Sequence, residues 1–307
     1  MPKVSIIMNC FNGEEFLKEA LNSVKDQTFT DYEIIFVDNC STDNSAEIAL
    51  SFGKKLKYFK TQANLCLGKA RNFALERCTG EYIAFLDCDD MWKSEKLEKQ
   101  VAILDLKNNI AMTMTNYDII NMQNNSTKLA LSLKKSLLLS IQELAVDYAY
   151  EFSSYLIRAS VLRRNCLIFD SSLSYATDYD LFLRMSLFGK AYYLNESLAY
   201  YRIHGSMNSK KLKYVFSAEY LRIRDNLKIL SNEIKYDCKL TLEYLTFLSA
   251  LSDTKVYLEV RNNSAARKCI KNYVFKSKKG MAFYLLTLLP PFISFKLIYL
   301  YYKNKAR

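Results

Sequence analysis

Four short apolar runs, Val4–Met8, Glu33–Val37, Leu56–Phe59 and Tyr82–Leu86, alternate with segments whose apolar residues recur at helical spacing. The first such segment places Phe16, Leu17, Ala20, Leu21 and Val24 on one face, and others follow through Ala46–Phe52 and Lys69–Arg77. Strands that alternate with amphipathic helices bury both faces of a sheet and call for crossover connections. The expectation is an α/β domain with a mostly parallel, Rossmann-like sheet and flanking helices.

In such sheets ligands gather beyond the carboxyl ends of the strands. Three of those ends are polar here: Asn9–Asn12 after the first run, Asp38–Asp43 after the second, and Asp87, Asp89 and Asp90 after the fourth. A buried strand that runs directly into clustered carboxylates is costly unless a cation meets them, so FLDCDD reads as a divalent-metal site for a phosphate-bearing ligand. A polar turn is the plain alternative for each strand end taken singly. Asp90 reads as support or as a cap for the helix that WKSEKLEKQVAIL begins.

The order and spacing of five segments resemble the family 2 glycosyltransferases, which have the GT-A fold. They are VSIIMNCFN, SVKDQTFTDYEIIFVDNCSTDNS, NLCLGKARNFALERCTGEYIAFLDCDD, SYATDYDLFLRMSLFG and YYRIHGSMN, which together cover about Lys3 to Asn208. The resemblance implies a GT-A catalytic domain over 1–208, with a nucleotide-sugar half to about 115 and an acceptor half over about 116–208.

It implies donor contacts from Asn9 and Phe11 after the first strand, and from Asp38 and Asn39 after the second. Asn39 stands where the family usually has an acid that faces the base, and an amide both donates and accepts, so the base stays open between uracil and others. Arg71 matches a basic position near the diphosphate, where a guanidinium grips phosphate in a fork. As a sequence feature it is also consistent with an exposed helix Arg paired with Glu76 or Glu81.

Asp87 and Asp89 match the two acids of the DxD motif, which implies Mn2+ or Mg2+ at the diphosphate. Asp178 matches the general base that deprotonates the acceptor hydroxyl, although Thr177 replaces the usual Glu before it. Thr177 with Asp180 also has the form of a helix capping box. His204 is the only histidine in the chain. It matches a position that joins the metal or diphosphate site, and Arg202, two residues earlier, falls on the same strand face and is expected to reach the donor phosphate as well. The implied activity is an inverting transfer of a sugar, from UDP most of all, to a hydroxyl of a glycan in surface polysaccharide or lipooligosaccharide synthesis. A nucleotidyltransferase would carry a Gly-rich basic loop after the first strand, which NCFNGEEF is not. A catalytically silent scaffold is made conceivable by Asn39 and Thr177 and disfavoured by the three retained acids Asp87, Asp89 and Asp178.

The net charge of +11 is unevenly spread. Residues 1–205 carry 23 basic and 25 acidic side chains, whereas 206–307 carry 20 basic and 7 acidic. The C-terminal region, 209–307, therefore reads as a basic helical extension. Within it Met281–Tyr302 is long and apolar but interrupted by Pro290, Pro291 and Lys296. Docking on a membrane surface, packing within the protein and a true span are the three readings of this stretch. The excess charge favours an anionic membrane surface over the others, and the apolar content favours lipid over nucleic acid.

Asn121–Leu139 reads as a surface excursion between the two halves. The eight cysteines form no CxxC pair and no zinc-like spacing, and the apolar N-terminal run is too short for a signal peptide. Together these suggest a cytoplasmic protein held peripherally at the inner face of the plasma membrane, acting on a lipid-linked acceptor.

Overall fold

In the computed structural model, residues 1–124, 126–131, 135–146, 150–205, 216–274, 277–291, 293, 294 and 297 are described. The chain divides into two compact units, Met1–Asn208 and Ser209–Arg307.

The first unit opens with β1 (Val4–Cys10), α1 (Glu14–Lys25), β2 (Tyr32–Asp38), α2 (Ser45–Leu50), β3 (Leu56–Lys60), α3 (Leu67–Leu75) and β4 (Tyr82–Phe85). β1 lies between β2 and β4 and is parallel to both, and β3 is parallel to β2. β1, β2 and β4 are buried almost throughout, which is why their sequences are continuous apolar runs rather than alternating ones. Leu17, Ala20, Leu21 and Val24 of α1 pack into the same core as Ile6, Met8, Ile34 and Phe36.

The chain continues through β5 (Met91–Trp92), α4 (Lys96–Leu106), β6 (Ile110–Asn121), β7 (Ser126–Leu129), β8 (Leu137–Leu139), α5 (Ile141–Val146), β9 (Leu156–Arg158), α6 (Ala159–Arg164), α7 (Thr177–Met185) and β10 (Lys190–Ile203). A single sheet runs β3-β2-β1-β4-β9-β6-β10-β5, with β7 on β6 and β8 on β10. The sheet is mixed rather than mostly parallel. β9 is antiparallel to both β4 and β6, β5 is antiparallel to β10, and β6 with β10 restores a parallel pair. Among the described residues of the stretch expected as a surface excursion, Ser126–Leu129 and Leu137–Leu139 extend the sheet as short antiparallel strands.

The second unit contains α8 (Phe216–Glu233), α9 (Lys239–Glu259), α10 (Asn263–Ile270) and α11 (Lys278–Leu288). Phe247, Leu251 and Leu258 of α9 bury against Ala266, Ile270 and Phe283. The side chains of Asn262 and Ser277 cap α10 and α11 by accepting from Ala265 N–H and Gly280 N–H. α11 stops just before Pro290, as a residue preceding proline disfavours the helical region. No helix among the described residues is long and apolar enough to cross a membrane. Lys296 and residues 298–302 of the apolar stretch lie outside the described residues, as do Ser206–Asn208 of the YYRIHGSMN segment.

Candidate active site

The parallel arrangement of β1, β2 and β4 brings their carboxyl ends to one edge, where the following loops interlock. Asn39 N–H donates to the Cys10 carbonyl at 2.8 Å. Asn12, whose φ of 53° is left-handed, accepts from Thr42 N–H at 2.8 Å through its side-chain oxygen. Its own N–H reaches Ser41 Oγ at 3.1 Å. Gly13 N–H donates to Ser45 Oγ, and Glu14 N–H to Asp43 Oδ2. Asparagine is one of the few residues that tolerates this backbone region, and its amide completes the turn.

The residues expected at the base are committed to shaping this edge. Asp38 is fully buried, accepting from Ser41 N–H at 2.7 Å and from the Tyr58 hydroxyl at 2.6 Å. Burial, and then the Asp38 carboxylate, push the Tyr58 phenol upward, so it stays a donor. Asn39 forms a reciprocal pair with the backbone of Leu65, accepting from its N–H at 2.8 Å and donating to its carbonyl at 2.9 Å. The Thr61 hydroxyl donates to the same Asn39 oxygen. Asn9 donates to the Ala70 carbonyl at 2.9 Å, which ties the end of β1 to α3. Phe11, by contrast, is half exposed and leaves a ring face open at this edge.

The acids of FLDCDD follow β4. One ligand oxygen from each of Asp87, Asp89 and Asp90 falls within 4.8 Å of the others. Asp90 is buried and spoken for: its Oδ1 accepts from Arg202 N–H at 3.0 Å and its Oδ2 from the Ser153 hydroxyl at 2.8 Å. It does not cap α4, which begins six residues later at Lys96 with Glu95 at the N-cap position. Asp87 is pushed up to about 6 by burial, a shift that Arg71 opposes and that Asp89 and Asp178 reinforce. His204 Nε2 lies 3.0 Å from Asp89 Oδ2, with its ring against Phe16. The sequence-distant histidine thus joins the acids, carried there by β10.

Arg71 connects α3 with the acids after β4 and with the start of α7. It is not an exposed helix residue, and Glu76 and Glu81 pair instead with Arg77, Lys3 and Arg158. Its guanidinium lies over the Phe152 ring at 3.7 Å, donates to Thr177 Oγ1 at 2.7 Å, and stands 3.9 Å from both Asp87 and Asp178. The Thr177 hydroxyl is therefore not a helix cap. Ala176 occupies the N-cap position, no side chain caps α7, and Asp180 pairs with Arg184. The capping-box pattern fails because a buried guanidinium claims the hydroxyl and an Arg one turn on claims the acid. Asp178, in the first turn of α7, sits where the helix dipole favours its charge.

Arg202 is buried, with its guanidinium paired to Glu19 at 2.7 Å and lying over Phe16 at 4.5 Å. Its structural partners are thus on α1, while its backbone N–H supports Asp90.

Ser153 had no signal in the sequence. It lies in a single 3-10 turn, Phe152–Ser154, just before β9. Its hydroxyl donates to Asp90 and accepts from Asp87 N–H at 3.1 Å, and its carbonyl accepts from Trp92 Nε1 at 2.7 Å. Behind it the Glu151 carboxyl is pushed well above the usual carboxylate range by burial, then by Asp90 and Asp87. A turn of this kind has no periodicity, and its role depends on strands that only the fold brings together.

A mixed α/β sheet with a carboxylate cluster, a buried arginine and a helix-terminal acid at one edge defines a GT-A glycosyltransferase fold. Residues 5–164 match the family described as glycosyl transferase family 2, and the chain belongs to that family. The chain is 32% identical over 219 residues to TuaG of Bacillus subtilis, whose description ascribes it to teichuronic acid biosynthesis; the match covers 69% of this chain and 84% of TuaG. It is 40% identical over 124 residues to the Escherichia coli UDP-Glc:alpha-D-GlcNAc-diphosphoundecaprenol beta-1,3-glucosyltransferase WfgD, over 40% of this chain and 48% of WfgD.

The chain spans from 35% to 66% of the length of five uncharacterized glycosyltransferases of Rickettsia and Haemophilus influenzae that it also matches. Among solved structures, S. aureus TarS 1-349 in complex with UDP-GlcNAc is similar with a TM-score of 0.62 and 19% identity, over 93% of this chain and 90% of that one. The mannosyltransferase PcManGT of Pyrobaculum calidifontis, in complex with GDP-Man and Mn2+, gives a TM-score of 0.59 at 14% identity, over 97% and 84% of the two chains. At these identities the structures speak for the fold.

Proposed function

We propose that this chain is an inverting glycosyltransferase that moves a sugar from a nucleotide-diphosphate donor, with UDP as the nucleotide, to a hydroxyl of a glycan acceptor in surface-glycan synthesis. The observation that carries this reading is Arg71, which stands 3.9 Å from Asp87 on one side and 3.9 Å from Asp178 on the other. It links the acids suited to a diphosphate with the acid suited to an acceptor proton.

The donor set fits a hard divalent cation. Asp87 and Asp89 offer carboxylate oxygens, and burial, with Asp89 and Asp178 nearby, holds Asp87 up at about 6 against the pull of Arg71. His204, 3.0 Å from Asp89, adds an imidazole nitrogen that Mn2+ accepts more readily than Mg2+. Asp87, Asp89 and His204 would hold the ion, with Asp90 buttressing the loop from behind. Bound there, the ion would offset the charge of the diphosphate and assist its departure.

The remaining roles belong to side chains of the chain itself. Phe11 offers an exposed ring to the base, while Asn9, Asp38 and Asn39 hold the loops that form the base-binding edge. Arg71 steadies the diphosphate by fixed positive charge. Arg202 reaches the donor site through Asp90, holding that carboxylate by its backbone N–H. Asp178 accepts the proton of the acceptor hydroxyl as it attacks the anomeric carbon from the face opposite the leaving nucleotide. UDP is supported by the nucleotide in the TarS complex and by the UDP-Glc in the name of WfgD. A lipid-linked acceptor is supported by the diphosphoundecaprenol in that name.

In the second unit Met281, Leu285 and Leu288 of α11 are exposed, with Ile293 and Leu297 beyond it, while Gly280, Phe283 and Thr287 are buried. Spacings of four and three place Met281, Leu285 and Leu288 along one helix face. Combined with the basic balance of 206–307, this face suits peripheral docking on an anionic membrane, where a lipid-linked acceptor resides.

The test is release of nucleotide diphosphate from a panel of nucleotide sugars with Mn2+ and a diphosphoundecaprenol-linked acceptor. Turnover is expected with a UDP-sugar. Asp178→Asn is expected to keep UDP binding and to lose about 10²–10⁴-fold in turnover. Absence of both turnover and Mn2+-dependent nucleotide binding would overturn the proposal, and full turnover by Asp178→Asn would overturn the base assignment.

A further inference from the structure

The middle residue of the Asp87–Asp89 motif is a cysteine, and it faces another. β1 and β4 pair in parallel up to Ile7 opposite Phe85, and Leu86 N–H still donates to the Ile7 carbonyl at 3.0 Å. Cys10 ends β1, and Cys88 lies in the turn that begins three residues past the last residue of β4.

The side chains converge as well. A methyl group placed on Gly13 would meet Cys10 Sγ and Cys88 Sγ at 2.8 Å each, so the sulfurs are no more than twice that distance apart. The glycine that opens α1 is what leaves room for both thiols. Cys88 is half-buried and Cys10 is buried. Cys10 also follows Asn9 and precedes Phe11, so the two sulfurs join the base-binding edge to the acid cluster.

We propose that Cys10 and Cys88 form a reversible disulfide that switches the donor site off, with a peroxide as the oxidant. Hydrogen peroxide oxidises the Cys88 sulfur, the more accessible of the two, to a sulfenic acid, as the O–O bond breaks and one water leaves. The Cys10 sulfur then attacks the sulfenic sulfur, the S–O bond breaks, and a second water carries off the hydroxyl with the Cys10 proton. Two thiols lose two electrons and two protons, and the peroxide is reduced to two waters. A dithiol reductant reverses the change by thiol–disulfide exchange.

The new bond draws Cys88 toward β1 and displaces the flanking Asp87 and Asp89. A displacement of about 1 Å at a reacting site costs on the order of 10²-fold in rate. The effect on transfer rests on the function proposed above, whereas formation of the bond does not.

The experiment treats the full chain with hydrogen peroxide, alkylates residual thiols and maps crosslinked peptides by mass spectrometry. UDP binding in the presence of Mn2+ and nucleotide release are followed on the same samples, before and after dithiothreitol. The expected result is a Cys10–Cys88 crosslinked peptide and a loss of UDP binding and turnover on the order of 10²-fold, both reversed by dithiothreitol. Cys10→Ser and Cys88→Ser should each keep their UDP binding through the same treatment.

Absence of the Cys10–Cys88 peptide from peroxide-treated protein whose exposed Cys66 and Cys166 have been oxidised would overturn the proposal. So would equal, irreversible loss of UDP binding in wild type and in both serine variants. If the crosslink forms and reverses but no nucleotide sugar turns over even in reduced protein, the transferase reading fails while the disulfide stands.

Discussion

Ser153→Ala removes one hydroxyl and tests whether the 3-10 turn before β9 holds the acid cluster in place. The hydroxyl is fully buried, donates to Asp90 Oδ2 at 2.8 Å and accepts from Asp87 N–H at 3.1 Å. Each lost bond is worth roughly 0.5–1.5 kcal/mol, or 1.5–3 kcal/mol where the partner is charged, and the buried Asp90 oxygen is left without that partner. The expected destabilisation is about 2–4 kcal/mol, read from urea denaturation of the metal-free protein. Because the lost partners fix the backbone of Asp87 and the side chain behind Asp89, metal affinity should fall about 10–100-fold, read by titrating Mn2+ against UDP binding. Ser172→Ala, which removes an exposed hydroxyl bonded only to Asp170, should stay within about 0.5 kcal/mol and leave Mn2+ affinity unchanged. An unchanged Mn2+ affinity in a Ser153→Ala protein that folds normally would refute the claim that this turn supports the metal site.

Lys96 is fully buried, donates to Gln100 Oε1 and lies over the Trp92 ring, and burial pulls its ammonium down to about 7 against the pull of Glu151. Between pH 7 and 9 the unfolded chain therefore binds more protons at this site than the folded one, so stability should rise with pH by up to about 1.4 kcal/mol per unit. Lys96→Met should flatten that slope in urea titrations at pH 7, 8 and 9, and an equal slope in the variant would refute the assignment. Replacing Met281, Leu285 and Leu288 together by Glu should abolish flotation with anionic liposomes without changing the far-UV circular dichroism, and unchanged flotation would exclude this face as the membrane contact.

The first half of the first unit was legible in the sequence because its strands are buried on both faces. VSIIM, EIIFV and YIAFL are continuous apolar runs, and the helices between them show clean apolar faces, so local pattern and tertiary environment agree. The acids after β4 stood out for the same reason: a buried strand that runs straight into three carboxylates is costly unless something meets them. The sequence by itself thus determined the α/β alternation and the strand end at which the acids of FLDCDD gather.

What the tertiary structure decided is how residues far apart in the chain divide the work. Thr177 and Asp180 satisfy the local rule for a capping box, yet Arg71, 106 residues away from Thr177, takes the hydroxyl. Asp38 and Asn39 look like ligand-binding residues, yet Tyr58, Ser41 and Leu65 occupy their polar atoms. Ser153 carries no pattern at all and becomes important because β9 inserts antiparallel beside β4. Cys10 and Cys88 are 78 positions apart in sequence, and only the fold brings the end of β1 and the turn after β4 together so that both sulfurs lie against Gly13. Hydrophobic periodicity is local and survives in the sequence. A hydrogen-bond partner chosen across the sheet depends on strand order and register, which no local pattern encodes.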